Sequence, residues 1–153
     1  MKVSRVETLL IAPRFALCRV ETDDGLVGWG EPVLEGRAEV VLAAVEAAAE
    51  LLIGQDPTQV VRHWQTLTKG SYYRNGPILA SAVSGLDQAL WDIFGKAVGL
   101  PVHALLGGAQ RDRTRVYAWL HGADTAALVD HARLRLEQGY DAVKLAPARA
   151  LAP

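Results

Sequence analysis

The sequence predicts an α+β domain over residues 1–110, followed by the opening of an α/β domain over residues 111–153. Three observations predict it. Residues 1–30 are short apolar runs separated by turn signals. Residues 37–98 repeat apolar side chains at three- and four-residue spacing. Beyond Gly107-Gly108, a strand-like run, a helical run and a second strand-like run follow in order.

The first run, VSRVETLLIA, places Val3, Val6, Leu10 and Ile11 in imperfect alternation, and Pro13-Arg14 punctuates it. FALCRVET alternates better, with Phe15, Leu17 and Arg19 on one side and Cys18 and Val20 on the other. TDDG is a turn signal in which Gly25 can take positive φ, and LVGWGE returns as a third strand. Three strands with short connections predict an antiparallel meander. From Arg37 to Ile53 the apolar residues Val40, Val41, Ala44, Val45, Ala48, Leu51 and Leu52 predict a helix that Gly54 ends. Asp56-Pro57 reads as an N-cap with proline at the first helical position, opening a second helix to about Thr68 that buries Val60, Val61, Trp64 and Leu67. KGSYYRNGP is a loop. A third helix runs from Pro77 to Val98 and stops at Gly99.

TRVYAWL and YDAVKLA then flank a helix capped by Asp124 or Thr125 and closed by Gly139. A strand, a helix and a strand in this order form a βαβ unit with parallel strands. Such a unit has two faces and two edges to cover, and about forty residues do not suffice. The Ala/Pro-rich LAPARALAP adds no recognisable element, so the second domain reads as interrupted.

The 153 residues carry a formal net charge of −1 with no basic run, which gives no electrostatic case for nucleic acid or an anionic membrane. No apolar segment reaches the roughly 18 residues of a membrane span. MKVSRVETLL lacks the apolar core and cleavage site of a signal peptide. With Cys18 as the single cysteine, no internal disulfide forms, and a cytoplasmic location is expected. GLVGWG does not have the spacing of a nucleotide-binding GxGxxG loop, and a turn and strand explain its glycines.

The stretch SGLDQALWDIFGK, residues 84–96, sets Asp87, Asp92 and Lys96 in an apolar run. On a helix the two carboxylates lie about 140° apart at about 100° per residue, so they do not converge as an acid/base pair. Leu86, Leu90, Ile93 and Ala97 make an apolar stripe. Ser81, Ser84, Gly85 and Gln88 make a face that lets another element approach closely. Asp92 and Lys96 have the i, i+4 spacing of a helix ion pair. The stretch reads as structural.

The longer run ASAVSGLDQALWDIFGKAVGLPVHALLGG, residues 80–108, resembles the N-terminal signature of the mandelate racemase/muconate lactonizing branch of the enolase superfamily. The resemblance runs through Ala82, Gly85, Leu86, Asp87, Ala89, Asp92, Gly95, Lys96, Pro101, Leu105, Leu106 and Gly107. ETDDGLVGWGEP, LIGQDP, YYRNGPI and RVYAWLHG are similar to the acid-sugar dehydratases of that branch, the galactonate dehydratases among them. The resemblance implies an N-terminal capping domain followed by a (β/α)8 barrel, here incomplete. It implies abstraction of a proton α to a carboxylate, an enediolate stabilised by Mg2+, and loss of the β-hydroxyl as water. An acid-sugar substrate and a homo-oligomer follow from the same resemblance. A racemase, epimerase or cycloisomerase of the superfamily is the alternative chemistry, and a non-catalytic capping-domain protein is the alternative class.

The family's metal carboxylates and catalytic histidines lie on later barrel strands, so no catalytic residue or metal ligand is expected within these 153 residues, and this stretch alone is expected to be inactive. The nearest candidate is Lys144, on the second barrel strand, where relatives carry a Lys-x-Lys motif. Here the residues are Lys144-Leu145-Ala146. That departs from the lysine-base pattern and leaves Lys144 either orienting charge at the barrel mouth or serving as a plain strand-end lysine. Substrate-binding candidates are His121 after the first barrel strand, Arg14 at the first strand connection, Glu35 with Arg37 after the third strand, and Tyr73 and Arg74 in YYRNGP. Each also reads as an ordinary loop residue. His63 and His131 are expected to be surface or packing residues.

Overall fold

The computed structural model describes residues 1–11 and 15–146. The Pro13-Arg14 punctuation, and with it Arg14, lies outside the described residues, as does the Ala/Pro-rich end beyond Ala146. The chain forms two compact units, one through Gly108 and one from Ala109 onward.

The first unit opens with β1 (Val3–Ile11), β2 (Phe15–Thr22) and β3 (Val27–Gly30). They form an antiparallel meander in the order β1-β2-β3, with Val6 opposite Val20, Thr8 opposite Cys18, and Cys18 opposite Gly30. Period-two alternation sends Ala16, Cys18, Val20 and Thr22 into the core. At the β2–β3 turn Gly25 takes φ +90°, and the Thr22 hydroxyl accepts the Leu26 N–H at 2.9 Å.

Three longer helices cover this face: α1 (Ala38–Ala49), α2 (Val60–Lys69) and α3 (Pro77–Val98). The core comprises Val3, Cys18, Val20, Val41, Val45, Leu52, Val60, Leu86, Leu90 and Ile93. Helix α3 has proline in its first turn and ends on Gly99 at φ 69°, with the Leu100 N–H donating to the Gly95 carbonyl at 2.9 Å. A single turn, α4 (Val102–Leu105), follows.

Several expected details differ. Helix α2 starts at Val60, not Pro57. The Asp56 carboxylate accepts the Thr58 N–H at 2.9 Å and its hydroxyl at 2.7 Å, and so closes a local turn before the helix. On α2 the inward row is Val60, His63 and Leu67, while Val61 and Trp64 are exposed. His63 is a packing residue, 5% exposed, with its Nε2 2.7 Å from the Asp56 carbonyl. On α1 the inward row is Val41, Leu42, Val45 and Ala49, which turns Val40 outward, and Leu51 in the following turn is exposed as well. On α3 the stripe is Leu86, Ala89, Leu90 and Ile93, and Ala97, near the helix end, is exposed.

The second unit contains β4 (Ala118–Trp119), α5 (Thr125–Glu137) and β5 (Val143–Lys144). The strands are parallel, with Trp119 opposite Lys144, but each predicted run supplies only two paired residues. Asp124 is the N-cap of α5, its carboxylate accepting the Ala127 N–H at 2.8 Å. Among the described residues, no helix is long and apolar enough to cross a membrane.

Candidate functional site

In the second unit, alternation along β4 decides which side chains face which way. Ala118 and Leu120 are buried, whereas Tyr117, Trp119 and His121 are exposed. The parallel register sets Lys144 beside Trp119. Its ammonium lies 4.9 Å from the Trp119 ring centroid, 5.5 Å from that of Tyr117, and 3.5 Å from the Tyr117 hydroxyl. The Trp119 ring attracts the cation by its negative quadrupole, and the Tyr117 hydroxyl lies beside it.

His121 follows β4, at the carboxyl end of the parallel pair. There a cavity of about 190 Å³ is lined by Trp119, His121, Gly122, Leu128, Leu145 and Ala146, with Leu120 behind it. The His121 ring stacks on His131 of α5, centroids 5.6 Å apart and planes at 26°. The structure therefore brings two sequence candidates, Lys144 and His121, beside one ring, that of Trp119, whose centroid is 4.9 Å from the Lys144 ammonium and 6.4 Å from the His121 centroid.

The remaining candidates lie in the first unit, in two separate places. Glu35 is exposed in the turn before α1, where Gly36 takes φ 72°, and the Arg37 guanidinium is directed to the Gly36 carbonyl at 2.9 Å. Tyr73 and Arg74 line a cavity of about 410 Å³ between α1, α2 and α3, walled by Ala44, Ala48, Leu67 and Leu79. Arg74 Nε donates to the Ser71 carbonyl at 2.8 Å, and Tyr73 meets Tyr72 edge-on at 5.2 Å. Glu35 does not line that cavity.

Tyr117, Trp119 and His131 were not singled out from the sequence as site residues. The signal for the first two was the period-two spacing of Tyr117, Trp119 and His121 along one strand face. His131 carries no such signal, because its meeting with His121 depends on how α5 lies beside the strand.

The chemistry available at the strand ends is that of a fixed cation and an imidazole, able to attract a carboxylate and to exchange hydrogen bonds with hydroxyls. These donors do not suit Mg2+, which prefers oxygen ligands. Among the described residues, no three His, Cys, Asp or Glu side chains converge on one point.

Asp87 and Asp92 also resolve as the helix geometry requires. Asp92 faces β3, accepting the Trp29 N–H at 3.0 Å and the Lys96 ammonium at 2.7 Å. Asp87 is half-buried, and its burial raises its pKa above the usual aspartate value against the opposing hydrogen bond from Trp91.

Known proteins agree with this architecture. A D-galactonate dehydratase from Variovorax paradoxus is 51% identical over 145 residues, covering 95% of this chain and 38% of the relative. One from Ralstonia nicotianae is 50% identical with the same coverage. The chain thus spans little more than a third of these relatives' length. Among solved structures, an enolase from Pantoea ananatis with bound D-gluconate and Mg superposes with a TM-score of 0.85 at 40% identity, covering 93% of this chain and 35% of that one. An Agrobacterium radiobacter enolase, described as a putative galactarate dehydratase with bound Na and L-malate, gives 0.84 at 37% identity, covering 96% and 38%. Residues 5–107, which hold the meander and the α3 signature, match the mandelate racemase/muconate lactonizing enzyme N-terminal domain, and the chain belongs to that family.

Proposed function

We propose that this chain is the N-terminal part of an acid-sugar dehydratase that removes water from galactonate. The observation that carries the reading is the 51% identity to the Variovorax paradoxus D-galactonate dehydratase, sustained across 145 residues. In this reading residues 1–110 are the capping domain and residues 111–153 begin the barrel. Mg2+, which one structural neighbour carries, belongs to residues of the whole protein other than those described in this chain. Its contribution when bound is Lewis-acid stabilisation of charge on the substrate carboxylate.

The chain's own residues contribute binding and orientation. Lys144, held between Tyr117 and Trp119, attracts the acid sugar's carboxylate or a hydroxyl beside it. His121, also beside Trp119, hydrogen-bonds a sugar hydroxyl at the same mouth. A homo-oligomer is the expected state of the whole protein.

A chimera tests this reading. The chain replaces the matching 145-residue stretch of the Variovorax paradoxus enzyme. The expected result is Mg2+-dependent loss of water from D-galactonate by the chimera. The 153-residue chain alone is expected to give neither turnover nor a tight Mg2+ isotherm. In the chimera, Lys144→Met is expected to lower kcat/KM for galactonate roughly tenfold or more, mostly through KM, as for a lost charge-assisted hydrogen bond. A folded chimera that binds Mg2+ but leaves galactonate unchanged refutes the dehydratase assignment.

A further inference from the structure

We propose that Trp119 is a positioning residue: its indole pins the Lys144 ammonium at the strand ends without neutralising it, so that the whole charge meets the substrate carboxylate. The observation is a lysine held by an aromatic ring and a phenol. The ammonium lies 4.9 Å from the Trp119 centroid, inside the reach of about 6 Å over which a ring quadrupole attracts a cation. The Tyr117 hydroxyl lies 3.5 Å from the same ammonium.

The backbone sets the two residues side by side. The Ala118 N–H donates to the Ala142 carbonyl at 3.0 Å, and the Leu120 N–H donates to the Lys144 carbonyl at 2.9 Å. These bonds fix the register on both sides of Trp119, which makes Trp119 and Lys144 direct partners across the parallel pair. Ala118 and Leu120 are buried on the opposite face, so alternation sends Tyr117 and Trp119 to the exposed face, where the lysine meets them.

Both holders are uncharged. Among the described residues, no carboxylate pairs with Lys144. Lys96 shows the other arrangement: its ammonium donates to Asp92 at 2.7 Å and to the Val27 carbonyl at 2.6 Å, and it ties a helix to a strand. A lysine paired in that way is already neutralised and attracts an incoming anion weakly. An indole confines the ammonium and supplies no counter-charge.

Confinement matters because a lysine stem is long and loses much rotamer freedom when its end is fixed. At Lys144 part of that loss is taken on folding, through Trp119, so less remains when a carboxylate binds. The indole therefore strengthens binding of an anion that it need not touch. Its role toward a sugar acid rests on the dehydratase reading, while the placement of the ammonium does not.

Two measurements separate these. In the 153-residue chain labelled with 13C-lysine, the Lys144 ε-methylene resonances, assigned by their loss in Lys144→Met, should lie upfield under the indole ring current. They should return to ordinary lysine positions in Trp119→Leu. In the chimera, Trp119 is replaced by mono-, di- and trifluorotryptophan, which keep the shape of the ring and weaken its quadrupole. KM for galactonate should climb with each fluorine, by roughly threefold to thirtyfold across the series, while kcat stays within about twofold. A residue that only packs would not follow the fluorine count. The climb should vanish in Lys144→Met. A chimera that leaves galactonate unchanged refutes the dehydratase reading, and the lysine resonances then decide the placement alone. Ordinary Lys144 resonances in the unaltered chain, a flat fluorine series in an active chimera, or a climb that persists in Lys144→Met overturns the proposal.

Discussion

At the scale of single residues, the glycines of GLVGWG show how a sequence feature takes its meaning from packing. A Cβ on Gly28 would lie 2.1 Å from the Ala89 carbonyl oxygen, and one on Gly30 would lie 1.8 Å from that of Gly85. Both carbonyls belong to α3, so helix and strand meet backbone to backbone, and no side chain fits between them. The sequence reading assigned these glycines to a turn and strand. Close approach is the stronger reason; the small-residue face around Gly85 pointed to it on the helix side, but not which strand glycines would meet it, because the contact joins residues far apart in the chain. Gly30→Ala is expected to cost about 3 kcal/mol or more, since the obstacle is helix backbone that cannot rotate away. A lowered urea midpoint with an unchanged slope would check this. Asp87 gives a pH-dependent counterpart. Burial raises its folded pKa above the ordinary aspartate value of 3.8, so in the window above 3.8 the folded state holds more protons than the unfolded one. Its contribution to stability therefore falls as the pH rises through that window, and the deficit remains at neutral pH. Asp87→Asn keeps an acceptor for Trp91 without the charge and should be the more stable chain at pH 7. Its advantage should vanish in acid, as measured by denaturation at several pH values.

At the scale of elements, the central relationship is between α3 and the outer edge of β3. Among the described residues that edge has no neighbouring strand, a condition that ordinarily invites association. One row of α3 side chains, four residues apart, meets three of its backbone groups. The Gln88 side-chain oxygen accepts the Glu31 N–H at 2.9 Å, Asp92 accepts the Trp29 N–H at 3.0 Å, and Lys96 donates to the Val27 carbonyl at 2.6 Å. Helix side chains thus take the place of a fourth strand. The Asp92–Lys96 pair was legible from its i, i+4 spacing, and the structure closes it at 2.7 Å. That it serves the strand edge was not legible, because nothing local in SGLDQALWDIFGK indicates which element its polar row meets. The start of α2 was misplaced for a comparable reason: the Asp56 side chain closes its own turn with Thr58 instead of capping the helix. Asp92→Ala should destabilise the chain by about 1–2 kcal/mol, because it removes the acceptor of the Trp29 N–H as well as the partner of Lys96. Lys96→Met should cost less. In a double-mutant cycle by chemical denaturation, the two changes should fall short of additivity, since both act on one network.

At the scale of the whole molecule, the two units differ in how completely they bury themselves. The first was well predicted: the meander order, the two-sided division of β2 and the extent of α3 follow from alternation, helical spacing and the Pro77 and Gly99 boundaries. The second was predicted in order but not in extent, because strands of an α/β sheet lengthen only where neighbours pair with them on both sides. Here β4 and β5 pair only with each other among the described residues. The candidate site was legible in part for the same reason: Lys144 and His121 come together, while Tyr73 and Arg74 line a cavity of the first unit. The second unit leaves Val116, Tyr117, Trp119, Val129, Leu134, Leu136, Val143 and Leu145 exposed, on both strands and on the helix. Open strand edges and adjoining apolar side chains favour association with other chains. The 153-residue chain is therefore expected to self-associate, with a light-scattering mass that rises with protein concentration. A chain ending at Gly108 keeps the first unit, whose β3 edge is already met by α3, and should scatter as a monomer over the same range. A 153-residue chain that stays monomeric, or a shortened one that associates equally, would place the adhesive surface elsewhere than on residues 114–146.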